Sequence, residues 1–181
     1  MLKKRDVHEA EVLFELLSHP DVFPFVRQKA YSAEEYMFVT KRTLEEEEKK
    51  TTISRTIVDE YHQPIGTINL FDIEDGAGFL GTWIGKPYHG KGYNQPAKDL
   101  FFKECFFELG IERIFMKIRK VNERSRAAAL KLTYTTCANE MYPHVWQQIN
   151  PEGPVYDLFV VEKESFLFYL QNQEEEAILE A

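Results

Sequence analysis

Around residue 90 the chain gathers residue types that hold an anion. His89-Gly90-Lys91-Gly92 follows a strand-like segment, Gly78 to Gly85, and precedes an amphipathic stretch that opens near Asn94 and carries Pro96 in its first turn. Gly90 and Gly92 let the backbone take positive φ and come close to a ligand, where a Cβ would obstruct it. A helix start adds four unpaired N–H groups and roughly half a positive charge. Pro96 lacks an N–H where none is needed. Lys91 adds a full charge at the rim, and His89 adds one when protonated. Together these residues form a phosphate cradle.

Two other phosphate loops are excluded by residue identity. No Gly-Lys-Ser or Gly-Lys-Thr occurs anywhere in the chain, so there is no P-loop. A dinucleotide fingerprint needs a third glycine, and that position is Gln95 in a motif lying mid-chain. Nucleotide hydrolysis and hydride transfer both lose support.

The elements that must position the cradle are readable from periodicity. Leu80, Thr82 and Ile84 alternate with Phe79, Gly81 and Trp83 as a strand does. Ala97, Leu100, Phe101, Cys105 and Leu109 form a helical stripe with Lys98, Asp99, Lys103, Glu104 and Glu108 largely off it, and Gly110 supplies the stop. Upstream, the pattern gives a helix from Asp6 to Leu17, then a helix from Ser32 to about Lys50 with Ser32 and Glu35 as a capping box. Strands Ile53 to Val58 and Ile65 to Ile73 precede the Gly78 to Gly85 strand. Downstream come a strand Arg113 to Lys120, a short helix Glu123 to Leu132, strands Tyr134 to Met141 and Val155 to Val161, and a tail frayed from Gln171.

Composition narrows the class. The 181 residues suit one domain, and 14% aromatic with 29% charged residues argue for a globular enzyme or binding domain rather than disorder. No apolar run approaches a membrane span, and the start of the chain lacks a signal-peptide core, so no membrane partner and a cytoplasmic location are expected. Two cysteines, Cys105 and Cys137, make no disulfide framework and read as small core residues. A net charge of −8 argues against nucleic acid and favours a cationic substrate. Glu45 to Glu48 reads as a solvated helix end.

The order of elements, Trp83-Ile84-Gly85-Lys86-Pro87-Tyr88-His89-Gly90-Lys91-Gly92-Tyr93, and Asn122-Glu123-Arg124-Ser125 together resemble the GCN5-related N-acetyltransferase (GNAT) family. The likeness covers almost the whole chain and is nearest to the branch of ribosomal-protein N-terminal acetyltransferases and spermidine acetyltransferases. The resemblance implies an α+β fold of one domain over residues 1–181, a mixed twisted sheet of about six to seven strands with about four helices, splayed open at an acetyl-CoA site. It implies that Trp83, Ile84 and Gly85 pair with pantetheine, that the amides from His89 through Gly90, Lys91, Gly92, Tyr93, Asn94 and Gln95 receive the pyrophosphate, and that Asn122 approaches the thioester end. Acetyl-CoA is the implied cosubstrate, with no metal.

The implied chemistry is direct attack of an amine on the thioester. A backbone N–H near Trp83 or Ile84 would steady the oxyanion, and Ser125 is the candidate acid for the thiolate. An equal reading of Ser125 is local, as the third residue of a helix capped by Asn122. Departures from the branch are also plain. Phe79 and Pro96 stand where it often has glutamates, Thr133-Tyr134 replaces its Gly-Phe, and Ala129 occupies a position where other branches place a tyrosine acid.

The general base therefore does not transfer. Asp72, Glu74, Glu140 and His144 are the candidates, and Trp83 and Trp146 are candidate walls of the acceptor site. At pH 7 an α-amine is neutral roughly a tenth of the time and a lysine-like amine only about 0.04% of the time. Lack of a strong base thus suits a protein N-terminus or a weakly basic small molecule. A noncatalytic CoA-binding or interaction module is the competing reading. Phe23-Pro24-Phe25 and Phe166-Leu167-Phe168-Tyr169-Leu170 are core by default, with a cleft cover or a homodimer face as their other uses.

Overall fold

A computed structural model describes residues 1–179. Strand β1 (Leu2–Lys4) is short, as the few residues before the first helix require. A 3₁₀ turn, Val7–Glu9, leads into α1 (Ala10–Leu17), and Asp6 caps that turn by accepting from the His8 N–H. Helix α2 (Ala33–Glu48) starts where the capping box places it, with Ser32 Oγ accepting from the Glu35 N–H at 3.0 Å. Then come β2 (Ile53–Val58), β3 (Pro64–Glu74), β4 (Ala77–Ile84), α3 (Asn94–Phe107), β5 (Arg113–Arg119) and α4 (Glu123–Leu130). The chain ends with β6 (Thr136–Cys137), α5 (Pro143–Ile149), β7 (Tyr156–Glu162) and α6 (Lys163–Leu179).

The seven strands form one sheet in the order β1-β2-β3-β4-β5-β7-β6, with β4 and β5 as its parallel pair. That pair is joined at only three positions, Ala77 to Arg113, Gly78 to Ile114 and Phe79 to Phe115. Beyond them β4 runs on to Ile84 beside β3 and β5 runs on to Arg119 beside β7, so the sheet opens into a V. The expected splay lies between these two strands.

The largest core spans the seam from one face. Phe101, Phe102 and Phe106 of α3 pack with Phe166 of α6 over Ile68, Leu70, Ile114 and Val161, all at most 1% exposed. Each such side chain stabilises the fold by about 2 kcal/mol through burial. The opposite face has two separate supports: α1 and α2 close over Leu13, Leu17, Val26 and Tyr36, and α5 closes over Phe115, Leu158 and Val160. Between these two clusters the sheet is uncovered.

Several expectations change. The inward stripe of α3 is Ala97, Phe101, Phe102, Cys105 and Phe106, while Leu100 and Leu109 are exposed. Gly110 does end the helix region at φ +73°. Six α-helices flank the sheet rather than about four, the additions being α5 and α6. Residues from Gln171 continue α6 instead of fraying. The strand over Tyr134 to Met141 shrinks to Thr136–Cys137, because Tyr134 turns into the core against Phe102, Phe166 and Tyr169. Cys105 is buried, and that burial pushes its thiol pKa up, but Cys137 is exposed. In the Glu45 to Glu48 run, Glu47 turns inward with Glu104 to pair the buried Arg55, tying α2, β2 and α3 together. Removing both carboxylates would leave the buried guanidinium without a charged partner, a change that costs about 3–5 kcal/mol.

Candidate active site

The turn between β4 and α3 is held open by its own short-range bonds. A 3₁₀ turn, Lys86–Tyr88, uses the Tyr88 and His89 N–H groups on Gly85 O and Lys86 O. After His89 the pattern stops: no protein acceptor among the described residues takes the N–H of Gly90, Lys91, Gly92, Tyr93, Asn94 or Gln95. Gly90 and Gly92 sit at φ +73° and +84°, and an added Cβ at either would stand in open space. Helix α3 starts here without a side-chain cap. Five of these six residues, all but Lys91, line one cavity of about 570 Å³, and the start of α3 is among them.

Side chains fix this turn from three sides. His89 Nε2–H donates to Ile84 O at 2.7 Å, and its Nδ1 faces Arg124 Nη1 at 3.3 Å. The Tyr93 hydroxyl donates to Glu60, which pushes its pKa up to about 12, and its ring meets Tyr88 edge-on. The Gln95 amide donates to Asp99 and to the Tyr134 hydroxyl, both at 2.9 Å. Lys86 pairs with Asp21, fastening the α1–α2 loop to the cradle.

The exposed edge of β4 faces the same cavity. Gly85 N–H donates to Ile65 O at 2.8 Å, so the two-residue period of the ladder turns the polar groups of Gly81, Trp83 and Gly85 toward β3. Those of Thr82 and Ile84 face the gap. Of the two donors named for the oxyanion, Ile84 therefore points the right way and Trp83 does not. Gly85 is not part of this cavity's lining; a Cβ there would come within 2.8 Å of Leu16 Cδ2 in α1. Lys91 also stays outside the lining, its Nζ lying 5.6 Å from the Tyr88 ring centroid.

A second cavity of about 530 Å³ opens on the far side of the seam. Thr82, Trp83, Asn94, Lys98, Asn122, Ser125 and Ala128 line both cavities and mark their junction. Asn122 caps α4, its Oδ1 accepting from the Ser125 N–H at 3.2 Å. Because the cap uses the Ser125 backbone, the hydroxyl is left for the junction. Thr82 Oγ1 is buried there without a hydrogen-bond partner. Lys98 is the one ionisable side chain at the junction, and burial lowers its pKa.

Lys98 was missed as a site residue because a lysine among Asp99, Lys103 and Glu104 reads as solvent-facing. Its spacing carried the signal: three and four residues before Phe101 and Phe102, it shares their inward arc. The proposed bases fare differently. Asp72, Glu74, Glu140 and His144 line neither cavity. Asp72 sits at φ +53° in a bulge of β3 and pairs with Arg27 at 2.6 Å. Tyr134 is 2% exposed, with its hydroxyl engaged by Asp99 and Gln95. Trp146 packs under α5 and donates to Tyr156 O, so only Trp83 of the two tryptophans lines the site. Of the Phe23 to Phe25 segment, Phe25, 62% exposed, lines both cavities while Phe23 packs against the α1–α2 core, and Phe166 is core.

Comparison with known proteins agrees with this geometry. The family model described as "Acetyltransferase (GNAT) domain" matches residues 1–135. An uncharacterized N-acetyltransferase p20 of Bacillus licheniformis is 26% identical over 131 residues, covering 68% of this chain and 72% of that protein. A putative ribosomal-protein-serine acetyltransferase of Vibrio cholerae superposes with a TM-score of 0.69 at 19% identity, covering 89% of this chain and 92% of that one. A chimera of the spermidine N-acetyltransferase SpeG of Vibrio cholerae and hSSAT superposes with a TM-score of 0.69 at 11% identity, covering 92% and 97%. At these identities the two structures show the shared fold.

Proposed function

Because the chain belongs to the GNAT acetyltransferase family, we propose that it moves the acetyl group of acetyl-CoA to a primary amine by direct attack on the thioester. The amine belongs to a small molecule or a protein N-terminus. One observation carries the assignment of the cofactor half: Gly90, Gly92, Tyr93, Asn94 and Gln95, whose N–H groups have no protein acceptor among the described residues, line a cavity that also holds the Thr82, Asn122 and Ser125 junction. Pyrophosphate fits those donors, and pantetheine fits the edge of β4 as an added strand, with Thr82 and the Ile84 N–H open to it while Ile84 O is held by His89.

The amine then enters from the second cavity. Its nitrogen bonds to the acetyl carbon, the C–S bond breaks, and a backbone N–H of the Thr82 to Ile84 edge steadies the oxyanion between these events. In this reading Ser125 Oγ–H, at the junction, is the acid that protonates the departing thiolate. Lys98, whose burial weakens its hold on a proton, is placed to take the proton lost by the amine. Positioning across the junction supplies much of the acceleration.

Thermal melts and calorimetry with acetyl-CoA at millimolar concentration test the root of the reading. Stabilisation and saturable binding are expected; their absence would sink it. Thiol release against a panel of amines and free-N-terminus peptides then tests turnover, and binding without turnover on any acceptor would favour a noncatalytic CoA-binding module.

A further inference from the structure

The acceptor cavity has a charge opposite to that of the molecule. The chain carries 30 Asp and Glu against 22 Lys and Arg. Yet the cavity beside β5 is lined by four cations, Arg27, Lys29, Lys117 and Arg119, in addition to Lys98, and by no carboxylate. Among the described residues, three of the four form no salt bridge, and Arg27 alone pairs, with Asp72. Carboxylates near β5 are engaged elsewhere: Asp157 faces Lys120 and Arg126, and Glu162 faces Arg113.

Lys117 and Arg119 form the centre of this surface. They lie two residues apart on β5 and so share one face of the sheet. Both lie against one ring, Lys117 Nζ at 5.7 Å and Arg119 Cζ at 6.0 Å from the Tyr156 centroid. Strand residues Ile114, Met116 and Ile118 take the other face, into the core shared with α3. An aromatic floor with two adjacent cations and no internal counter-ion suits a ligand that brings the negative charge itself. A polyamine would meet repulsion there.

Resting on the acetyltransferase reading, we infer that the acceptor is an amine that also carries an anionic group, a carboxylate or a phosphate, which Lys117 and Arg119 hold while the amine reaches the junction. The planar guanidinium of Arg119 can take two oxygens of such a group at once, and Lys117 adds a point charge beside it. Arg27 and Lys29, on the loop over the cavity, extend the same field to its mouth. The net charge of the chain therefore misreports the local field, since only groups within about a Debye length, roughly 8 Å, act strongly on the ligand.

Matched amines test this at saturating acetyl-CoA: phosphoethanolamine against ethanolamine, β-alanine against propylamine, and spermidine as the polycation. At least one anionic member is expected to exceed its uncharged partner tenfold or more in kcat/KM. In Lys117→Gln/Arg119→Gln that gap should fall below threefold with acetyl-CoA affinity and melting temperature retained. The phosphate and carboxylate arms tell the two anions apart. Preference for spermidine or for the uncharged amines, or a gap unaltered in the double variant, overturns the inference and leaves acetyl transfer standing. Should no amine of the panel react, calorimetric titration of CoA-saturated protein with inorganic phosphate and with acetate decides: binding abolished in the double variant supports the inference, and no binding overturns it. A protein that binds no acetyl-CoA overturns the acetyltransferase reading itself.

Discussion

The two cavities that meet at Thr82 and Asn122 are built from different materials. The side proposed for the cofactor is mostly backbone: the amides of Gly90, Gly92 and Tyr93 to Gln95, the edge of β4 at Thr82 and Ile84, and a helix start. The acceptor side is mostly side chains, with Arg27 and Lys29 from a loop, Lys98 from α3, and Lys117 and Arg119 from β5. Backbone sites follow from local conformation, so glycine, proline and a strand-to-helix transition within some fifteen residues encode one. A side-chain site is assembled from distant segments by the fold.

The largest expected effect breaks the backbone half alone. Gly90→Asp or Gly92→Asp forces a Cβ-bearing residue to positive φ and places a carboxylate where pyrophosphate should lie, so acetyl-CoA affinity should fall by two orders of magnitude or more. The far-ultraviolet circular dichroism should be retained, since an added Cβ meets no atom within 4 Å at either position. Calorimetry that found an unchanged affinity would remove the cradle assignment.

A smaller effect is expected at the junction. Ser125→Ala keeps the Asn122 cap, which uses the backbone N–H, and should lower kcat by roughly 10²-fold with acetyl-CoA affinity retained if the hydroxyl protonates the thiolate. Unchanged kcat would return Ser125 to its local role at the start of α4.

The smallest effect concerns Lys98 and separates burial from function. Because burial lowers its pKa in the folded protein, the unfolded chain binds more protons between that value and about 10.4, and stability rises with pH through that window. Lys98→Met should therefore melt a few degrees higher than the wild type near pH 7, and the difference should vanish as the pH passes 10.4. In parallel, log kcat/KM of the wild type should climb with pH along a limb that the variant loses. Parallel melting curves at all pH values would show that Lys98 is solvated and is no base.

Legibility in the sequence follows the same division. The strands around the seam, the capping box at Ser32 and Glu35, and the Asn122 cap were readable because each is a short-range pattern. Helix α5 escaped because Pro143–Ile149 is too short to show a period, and its apolar residues Val145, Trp146 and Ile149 pack on a surface formed far away by Phe115 and Leu158. Helix α6 escaped because Phe166 to Leu170 is apolar without a break, although only Phe166, Tyr169 and Leu170 turn inward while Leu167 and Phe168 stay exposed. At the site, Lys117 and Arg119 were legible as alternating with Ile114, Met116 and Ile118. That they line a cavity depends on β4 leaving β5 after three pairings, which no local pattern records.

Those three pairings also bear on how such a protein changes over generations. The sheet face carrying α3 and α6 is one continuous core, so substitutions there are constrained by many neighbours at once. On the other face the α1–α2 support and the α5 support form separate clusters. Exposed residues such as Phe25 and Lys117 can thus change in size and charge at less cost to folding than the buried Val26 of the α1–α2 core, while the cradle on the far side keeps its conformation. The gap in the sheet lets the lineage retune which amine it accepts without renegotiating the donor it uses.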